Sequence, residues 1–409
     1  MNILEANYSI TYFKKVETKI TIFFVLKKIV QSINYTFRQL VKDLIFFTKN
    51  NSFKNKVICF ANSVNQKNAL ASLKDRINNL IFAGLPKESV NRIPMGIGCI
   101  ISIILSPVFL YDFVKFKNKR EKILYFFESY FFIRGMYLWW VVYLKLQTPK
   151  AIIMSNDHLV WHRVLKMAAQ KNSIPVVYIQ HASVTEKFPK LEFDLSLLEG
   201  RDALSKYMKR GISGKVELVG MMKFDQYHKS INKTTSVNTI GFCTNLLDQE
   251  EKIYEFVTEL HNKLGNKSLI LRPHPRDERH ELYNRLKEEL GIELSNSKSE
   301  NSFEFLKKVE VNIAAESNIH LEAVLLNVYP IYLKLKDEIA DHYGFINKGM
   351  IVDVFEEVTK LTDKIHELSN DRPYIRNKAN YYVDTVGTEY DGKSVKKVIQ
   401  ELENYGIIN

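Results

Sequence analysis

Short apolar runs alternate with amphipathic segments throughout the part of the chain that begins near residue 150. The segments between the apolar runs repeat apolar residues every three or four positions, as amphipathic helices do. Strands are predicted at AIIMS (151–155), IPVVYIQ (174–180), FDLSLLE (193–199) and VELVG (216–220). Strands that alternate with helices predict a parallel sheet connected by crossovers.

A short polar segment, residues 229–238, interrupts this alternation and predicts a linker between two domains. The alternation then resumes, with strands predicted at 239–245, 268–275, 311–317 and 329–334. From about residue 353 the pattern is helical, with long charged stretches. We therefore predict an α/β protein with an N-terminal unit at 141–228, a C-terminal unit at 239–352 and C-terminal helices at 353–409.

The first third, residues 1–140, predicts a basic helical region that associates with a membrane and forms part of the N-terminal domain. Residues 20–48 repeat apolar residues at helical spacing with basic residues between them, as in a membrane-surface helix or a helix packed on its own domain. Residues 93–110 form an uncharged run of 18 residues, the lower limit for crossing a bilayer. A span, an interfacial or re-entrant segment and a buried core helix all remain open for this run.

Charge separates the same two parts of the chain. Residues 1–150 contain 23 Lys and Arg against 8 Asp and Glu, whereas residues 151–409 contain 35 against 38. The basic excess therefore predicts an anionic partner for the first third alone, either nucleic acid or a phospholipid surface. Because the basic residues are interleaved with long aliphatic runs and no nucleic-acid-binding motif is present, we expect an anionic membrane and no nucleic acid.

The cysteines and the first residues of the sequence indicate the compartment. Only Cys59, Cys99 and Cys243 occur and none forms a C-x-x-C pair, which excludes a disulfide framework and a cysteine-based zinc site. The first residues lack the pattern of a secretory signal. We expect a cytosolic chain.

Polar side chains follow almost every strand predicted from residue 150 onward. Parallel sheets bind ligands at the carboxyl ends of their strands, so these positions are the candidate site. They are Asp157, His158, Gln180, His181 and Glu199 in the first unit, and Asn245, His274, Arg276, Glu316, Ser317 and Asn318 in the second.

The motif Arg272-Pro-His274-Pro-Arg276 is a candidate phosphate site, because its prolines end the strand and hold the histidine on a rigid turn. Ser317 or Asn318 is a good N-cap for the helix that follows, and such a helix end also attracts anions. Glu322, one turn further, could accept hydrogen bonds from ribose hydroxyls or only favour the helix dipole.

Three residues of the first unit are candidate general bases: Asp157, His181 and Glu199. Asp157 could form an acid/base centre with His158 or cap the next helix. His181 could act as acid, base or phosphate ligand, or merely bond to the backbone. Glu199 could be a buried base with a raised pKa, or the cap of the helix that starts at Arg201.

Missing motifs narrow the chemistry further. The sequence has no GxxxxGK[ST], no GxGxxG after a strand, no HExxH and no GxSxG, which argues against P-loop nucleotidases, nicotinamide dehydrogenases, zincins and α/β-hydrolases. No DxD occurs, so a metal-bridged diphosphate is disfavoured. We expect neither a metal nor another cofactor.

The order of these motifs resembles that of the two-domain GT-B glycosyltransferases of bacterial surface polysaccharides. The similar groups are the sialyl- and polysialyltransferases, the Kdo transferases of capsule synthesis and the glycerophosphotransferases of teichoic-acid synthesis. Glu199-Gly200 is similar to the acidic motif of the sialyl enzymes, although Leu198 replaces an acidic residue. Gln180-His181-Ala182 is similar to the Gln-His-Gly of the teichoic group.

The resemblance implies two Rossmann-like domains that face a cleft, with the acceptor in the N-terminal domain and the nucleotide donor in the C-terminal domain. His274 and Ser317 would hold the donor phosphate, and Glu322 the nucleoside. The implied activity is inverting, metal-independent transfer of a sugar, from a CMP-linked donor by preference, to a glycan or lipid-linked acceptor.

Such an enzyme would lie at the cytoplasmic face of the inner membrane as a peripheral or monotopic protein. The alternatives are a CDP-polyol phosphotransferase, a nucleotide-sugar epimerase and a non-catalytic scaffold for polysaccharide assembly.

Overall fold

The protein forms two α/β domains, each built on a parallel six-stranded sheet. The computed structural model describes residues 6–8, 21–47, 52–84, 91–335 and 339–409. All strand pairs that it describes within both sheets are parallel.

The sheet of the N-terminal domain has the order β2-β1-β3-β4-β5-β6. Its strands are β1 (Val57–Phe60), β2 (Leu80–Ala83), β3 (Ala151–Met154), β4 (Val176–Ile179), β5 (Leu191–Leu198) and β6 (Ile212–Leu218). Every residue of β1, β3 and β4 is buried, as expected for strands covered by helices on both faces.

Eight α-helices with described bounds, between residues 22 and 210, surround or extend this sheet. They are α1 (Ile22–Phe47), α2 (Val64–Leu70), α3 (Gly96–Ile104), α4 (Ser106–Lys115), α5 (Arg120–Tyr125), α6 (Phe127–Gln147), α7 (Val160–Lys171) and α8 (Arg201–Arg210). Helix α6 contributes most of the apolar contacts among these helices. Its side chains Phe132, Ile133, Met136 and Trp140 are fully or almost fully buried.

The sheet of the C-terminal domain has the order β12-β11-β10-β7-β8-β9. Its strands are β7 (Thr239–Cys243), β8 (Ser268–Arg272), β9 (Glu293–Leu294), β10 (Val311–Ala314), β11 (Tyr329–Leu333) and β12 (Val354–Phe355). The helices that cover it are α9 (Glu250–Lys263), α10 (His280–Leu290), α11 (Ser302–Leu306), α12 (Ile319–Leu325) and α13 (Val358–Glu367).

The chain passes between the domains twice. A 3₁₀ helix (Met222–Ser230) leads through residues 231–238 into β7. After α13 the chain returns, and the last helix, α14 (Ser394–Asn404), packs on the N-terminal domain. Val398 and Leu402 share a buried apolar cluster with Val57 and Leu70 of that domain.

Two strands in the first third were not predicted. Residues 1–140 were expected to be helical, but β1 and β2 lie within them and form one edge of the first sheet. Both strands are four residues long, and polar residues surround them in the sequence. The equally short β3 and β4 were recognised because they lie in a regular alternation of strands and helices, whereas β1 and β2 lie between long basic and apolar helical segments.

Strand β6 starts four residues earlier than the predicted strand at 216–220. Its pairing with β5 shifts register between Glu192 and Leu195. Gly214 lies opposite this shift at a φ of +85°, and a Cβ atom there would be 1.9 Å from the carbonyl oxygen of Phe193. Only glycine fits this close approach, and the polar sequence before residue 216 hides the strand.

The apolar run at 93–110 folds as parts of two helices, α3 and α4, which meet at an angle of 64°. Among the described residues no single helix is long and apolar enough to cross a membrane, although this bent pair reaches the necessary length and composition together. Helix α3 packs tightly on α6, because Gly98 and Ser102 lie against Gly135. The Ser102 hydroxyl group satisfies the carbonyl groups of Gly98 and Phe132.

Candidate active site

Loops at the carboxyl ends of the two sheets meet across a cleft between the domains. The Ser183 hydroxyl group, after β4, donates a hydrogen bond to the side-chain oxygen of Asn318, after β10. The Lys223 ammonium group, after β6, lies 2.5 Å from a carboxylate oxygen of Glu322 in α12. Lys206 of α8 donates to the carbonyl oxygen of Tyr343 at 2.8 Å. The residues between these three bridges define the candidate active site.

Glu199 lies buried at the end of β5 on the N-terminal side of the cleft. Its backbone N–H donates to the side-chain oxygen of Gln180 at 2.9 Å, and the Gln180 amide donates back to the carboxylate at 3.3 Å. Burial raises the pKa of Glu199 to about 7, with a further increase from Glu322 and an opposing effect of Lys223. This carboxyl group can therefore gain or lose a proton near neutral pH.

The C-terminal segment explains why glycine follows Glu199. A Cβ atom on Gly200 would lie 2.4 Å from the carbonyl group of Tyr382. Next to this contact, the N–H of Asp384 donates to the carbonyl oxygen of Glu199 at 2.8 Å. The Glu-Gly pair is thus held in place by the segment that returns from the C-terminal domain.

Asp157 and His158 form a dyad after β3. One oxygen of the buried Asp157 carboxylate accepts a hydrogen bond from the Tyr207 hydroxyl group at 2.7 Å, and the other lies 2.8 Å from Nδ1 of His158. The His158 side chain is 34% exposed, and its ring contacts that of Phe188. Asp157 is therefore placed to orient His158, whereas the imidazole of His158 is the accessible group.

His181 is the third predicted base. Burial, and then the positive charge of Lys223, lower the pKa of His181 to about 4. Its Nδ1 atom is buried and has no hydrogen-bond partner among the described residues. His181 is neutral at physiological pH, and at that pH it is a weaker base than Glu199.

The two prolines of the C-terminal motif hold His274 in a half-buried turn after β8. Its Nδ1 atom accepts a hydrogen bond from the backbone N–H of Arg276 at 3.2 Å, which leaves the proton on Nε2. Partial burial, followed by the charge of Arg276, lowers the pKa of His274. A neutral imidazole with a free N–H, next to the exposed Arg276, is suited to donate to a phosphate oxygen.

Arg272 does not join this group. Its guanidinium donates to the Ser295 hydroxyl group at 2.6 Å and to the carbonyl oxygen of Glu300 at 2.8 Å, and it stacks over the ring of Phe305. The Arg272 side chain is buried by these contacts. In this structure Arg272 holds the loop at 295–300. Its guanidinium group is therefore not free for the donor-binding role that the sequence predicted.

The loop after β10 brings the remaining predicted residues to the cleft. The side chains of Glu316 and His342 are within hydrogen-bond distance, with 2.6 Å between Oε2 and Nδ1. The Ser317 hydroxyl oxygen accepts the N–H of Ile319 at 3.4 Å, as a local turn. Asn318 occupies the N-cap position of the seven-residue helix α12, as predicted, but its side chain makes no capping hydrogen bond there.

Some residues of the cleft were missed by sequence reasoning. Lys223 lies in a 3₁₀ helix rather than at the end of a predicted strand, and Ser183 and Tyr207 carry no motif. Their positions depend on how the two domains meet, which sequence periodicity does not report. Among the described residues no group of three or more His, Cys, Asp or Glu side chains is arranged to hold a metal ion.

Two parallel sheets whose carboxyl ends face one cleft, with a last helix that returns to the first domain, define the GT-B fold. The predicted fold class is therefore confirmed. No model of a known protein family matches the chain, and no curated protein matches it in sequence.

Solved structures do match it over nearly the whole chain. The wall teichoic acid polymerase TagF, in a crystal soaked with CDPG, has a TM-score of 0.52 at 10% identity and covers 95% of this chain and 100% of its own. The UDP-GlcNAc 2-epimerase from Neisseria meningitidis, bound to UDP-GlcNAc, has a TM-score of 0.54 at 13% identity and covers 85% and 100%. MurG from Acinetobacter baumannii has a TM-score of 0.50 at 12% identity and covers 85% and 99%.

Proposed function

We propose that the protein is a GT-B glycosyltransferase that moves a sugar from a nucleotide-activated donor to a surface glycan or a lipid-linked acceptor. The observation that carries the proposal is Glu199, a buried carboxyl group whose pKa burial raises to about 7, at the cleft where Lys223 meets Glu322 of the opposite domain. A general base works best when its pKa lies near the working pH. His274 and Arg276, which are suited to bind a phosphate group, lie in the opposite domain.

The proposed step is a direct displacement with inversion. Glu199 takes the proton of an acceptor hydroxyl group, whose oxygen forms a bond to the anomeric carbon of the donor sugar. The bond from that carbon to the nucleotide oxygen breaks, and the electron pair leaves with the phosphate. His274 and Arg276 stabilise the charge that develops on this leaving group, so no metal ion is required by the proposal.

The next question is which nucleotide carries the donor sugar. A CMP-linked sugar is the first choice because of the resemblance to sialyltransferases. Similarly folded enzymes have been crystallised with UDP-GlcNAc and with CDPG, so pyrimidine nucleotides as a class are supported.

The first third supplies an observation on the acceptor. Helix α1 exposes an apolar stripe, with Phe23, Leu26, Val30, Ile33, Phe37, Val41 and Leu44 each at least 40% exposed. Its opposite face packs on the protein through the polar residues Ser32, Thr36, Gln39 and Asp43, and through Tyr35, whose ring stacks on that of Phe132. An apolar stripe directed away from the protein is suited to the acyl region of a lipid layer rather than to water.

Helices α3 and α4 continue this apolar surface with the exposed side chains of Ile97, Ile100, Ile103, Ile104, Val108, Leu110 and Val114. Lys115, Lys117 and Lys119 follow directly and match the headgroups of an anionic membrane. We propose that these helices hold the enzyme on the cytoplasmic face of the inner membrane, as a peripheral or monotopic protein, beside a lipid-linked acceptor.

A CDP-polyol phosphotransferase is the second candidate, favoured by the fold shared with TagF and by Gln180-His181. An epimerase is less well supported, because a soluble nucleotide sugar would not require the exposed apolar surface of α1 and α3. A scaffold without activity does not account for a carboxyl group buried at a pKa of about 7.

Thermal unfolding with CMP, CDP and UDP, in the presence of EDTA, tests the donor class. We expect selective stabilisation by one nucleotide. The matching nucleotide sugar is then incubated with and without lipid acceptor. Turnover that depends on the acceptor supports the transferase, whereas conversion of the sugar without acceptor supports the epimerase. No stabilisation by any nucleotide contradicts the proposal.

The base is tested with Glu199→Gln. We expect a loss of about 10²–10⁴-fold in kcat with nucleotide binding retained, as for removal of a general base. Glu217→Gln is the matched control, because Glu217 lies on the adjacent strand and pairs with Lys215 at the surface. His274→Ala should lower kcat/KM at least about tenfold if it stabilises the leaving phosphate. Full activity of Glu199→Gln would eliminate Glu199 as the base.

A further inference from the structure

Lys223 lies at the centre of the cleft without a role in the proposed reaction. It follows β6 in the segment that leads to the second domain, and its ammonium group lies 2.5 Å from the carboxylate of Glu322. It also lies over the ring of Phe303, with 5.9 Å between the ammonium nitrogen and the ring centroid. Lys223 thus connects the hinge segment of the N-terminal domain to α12 of the C-terminal domain.

The charge of Lys223 acts on three residues of the site. It lowers the pKa of Glu199 and of His181, and it pairs with Glu322. The Glu322 side chain is only 8% exposed, and besides Lys223 it receives a long hydrogen bond of 3.4 Å from Asn318. The ammonium group is therefore the main partner of Glu322, the carboxylate that resemblance assigns to the nucleoside.

The buried carboxylate of Glu322 needs a compensating partner, and the Lys223 side chain, which is 28% exposed, is stabilised by the same ion pair. If Glu322 accepts hydrogen bonds from ribose hydroxyl groups, it gains new donors and Lys223 loses part of its own compensation. The phosphate of the same ligand offers a negative charge to replace it. One nucleotide can thus satisfy both residues, whereas a nucleoside satisfies Glu322 alone.

We propose that Lys223 is a nucleotide-binding residue that exchanges partners, from the carboxylate of Glu322 in the free protein to the phosphate of the donor in the complex. This inference rests on the proposed function, because it assumes that the cleft binds a nucleotide. It adds a residue of the hinge segment to the site, so that ligand binding changes a bridge between the two domains.

The test compares binding of a nucleotide with binding of its nucleoside by titration calorimetry, for the wild type and for Lys223→Gln. The nucleotide is the one that stabilises the wild type in thermal unfolding. We expect Lys223→Gln to weaken nucleotide binding by about 10–100-fold, the value of a charge-assisted hydrogen bond. Nucleoside binding should be unchanged or stronger, because Glu322 is free.

Three further variants separate charge from structure. Lys223→Arg should keep nucleotide affinity close to the wild-type value, because it keeps the cation. Lys229→Gln is the matched control, since Lys229 is an exposed residue of the same 3₁₀ helix. Glu322→Gln should weaken the nucleoside as well as the nucleotide.

The outcomes distinguish this inference from the proposed function. A wild type that binds the nucleotide, with a Lys223→Gln variant that binds it equally well, overturns the role of Lys223 and leaves the transferase proposal intact. An equal loss of nucleotide and nucleoside binding in Lys223→Gln also overturns it, because that result means a structural role. A wild type that binds no nucleotide overturns both.

Discussion

Helices α1 and α14 both alternate apolar and polar residues at helical spacing, but they turn opposite faces toward the protein. In α14 the apolar residues Val398 and Leu402 are fully buried, and Lys396 is exposed. In α1 the polar residues Thr36 and Gln39 are buried, while the apolar stripe is exposed. The same period thus serves the core of a soluble domain in one helix and an outer surface in the other.

The buried faces differ in how they are stabilised. Beneath α14 the contact is largely apolar, and specific hydrogen bonds hold only its start, where the N–H groups of Ser394 and Val395 donate to Asp225. Beneath α1 it is a network in which Asp43 accepts the Nε–H of Arg92 at 2.8 Å and the N–H of Met95 at 2.8 Å, at the start of α3. A polar interface of this kind is stable only if every group finds its partner, so the α1 contact is more specific and more easily broken.

Replacement of a leucine by alanine in each of the two helices should give the largest difference in the free energy of unfolding. Leu402→Ala should lower the free energy of unfolding by about 2–5 kcal/mol, because it leaves a cavity in the core. Leu44→Ala, at a residue that is 74% exposed, should change it by less than about 0.5 kcal/mol. Chemical denaturation measures both, and equal losses would mean that α1 buries its apolar face in solution.

Asp43→Ala tests the polar side of the comparison. We expect a loss of about 3 kcal/mol, because Arg92 is then left buried without its carboxylate. The exposed neighbour Leu44 provides the control in the same turn of the helix. A variant as stable as the wild type in chemical denaturation would show that the polar network does not hold α1 in place.

Glu199, the proposed base, is a polar group buried in the cleft. Burial raises its pKa from 4.5 to about 7, so the folded protein holds a proton that the unfolded chain releases. The free energy of unfolding should therefore fall as the pH rises from about 4.5 to about 7, by at most about 3 kcal/mol. Denaturation of Glu199→Gln across this range should lack that decline, and an identical pH profile in the variant would contradict the raised pKa.

The smallest change in stability is expected on the exposed face of α1. Ile33→Ser and Phe37→Ser should alter the free energy of unfolding by less than about 0.5 kcal/mol, yet weaken binding to vesicles that contain phosphatidylglycerol. Cosedimentation with such vesicles, and with vesicles of phosphatidylcholine alone, measures this. If the double variant bound the vesicles as well as the wild type does, the proposal that α1 contacts the membrane would be wrong.

The sequence predicts β3 to β8, β10 and β11, because each contains an apolar run that ends at polar residues, but it misses the two-residue strands β9 and β12, the second of which lies in the segment expected to be helical. It predicts the residues at the carboxyl ends of these strands for the same reason. It misses β1 and β2, which lie in the first third, where the basic and apolar pattern predicts helices and no alternation of strands and helices marks them. It also predicts the helix at 20–48 without showing which face is buried, since both stripes have the same period.

Partners that come from distant parts of the chain are the other limit. Arg272 belongs to a convincing motif, but its guanidinium binds Ser295 and Glu300, which no local pattern connects to it. Lys223 has no motif, yet it meets Glu322 because the hinge segment passes α12. The partners of such side chains depend on the tertiary fold and on how the two domains pack against each other. The local periodicity of the sequence contains no information about these contacts.

The return of the chain to the first domain makes that domain discontinuous. Its core includes Leu402 and Ile407, and Asp384 holds the backbone of Glu199. During synthesis the N-terminal domain therefore cannot complete its core until α14 has left the ribosome, although domains in general fold from the N-terminus onward. The proposed base lies near the middle of the sequence, yet it is among the last parts of the molecule to reach its final surroundings. A chain that stops before α14 would lack the completed core of the N-terminal domain.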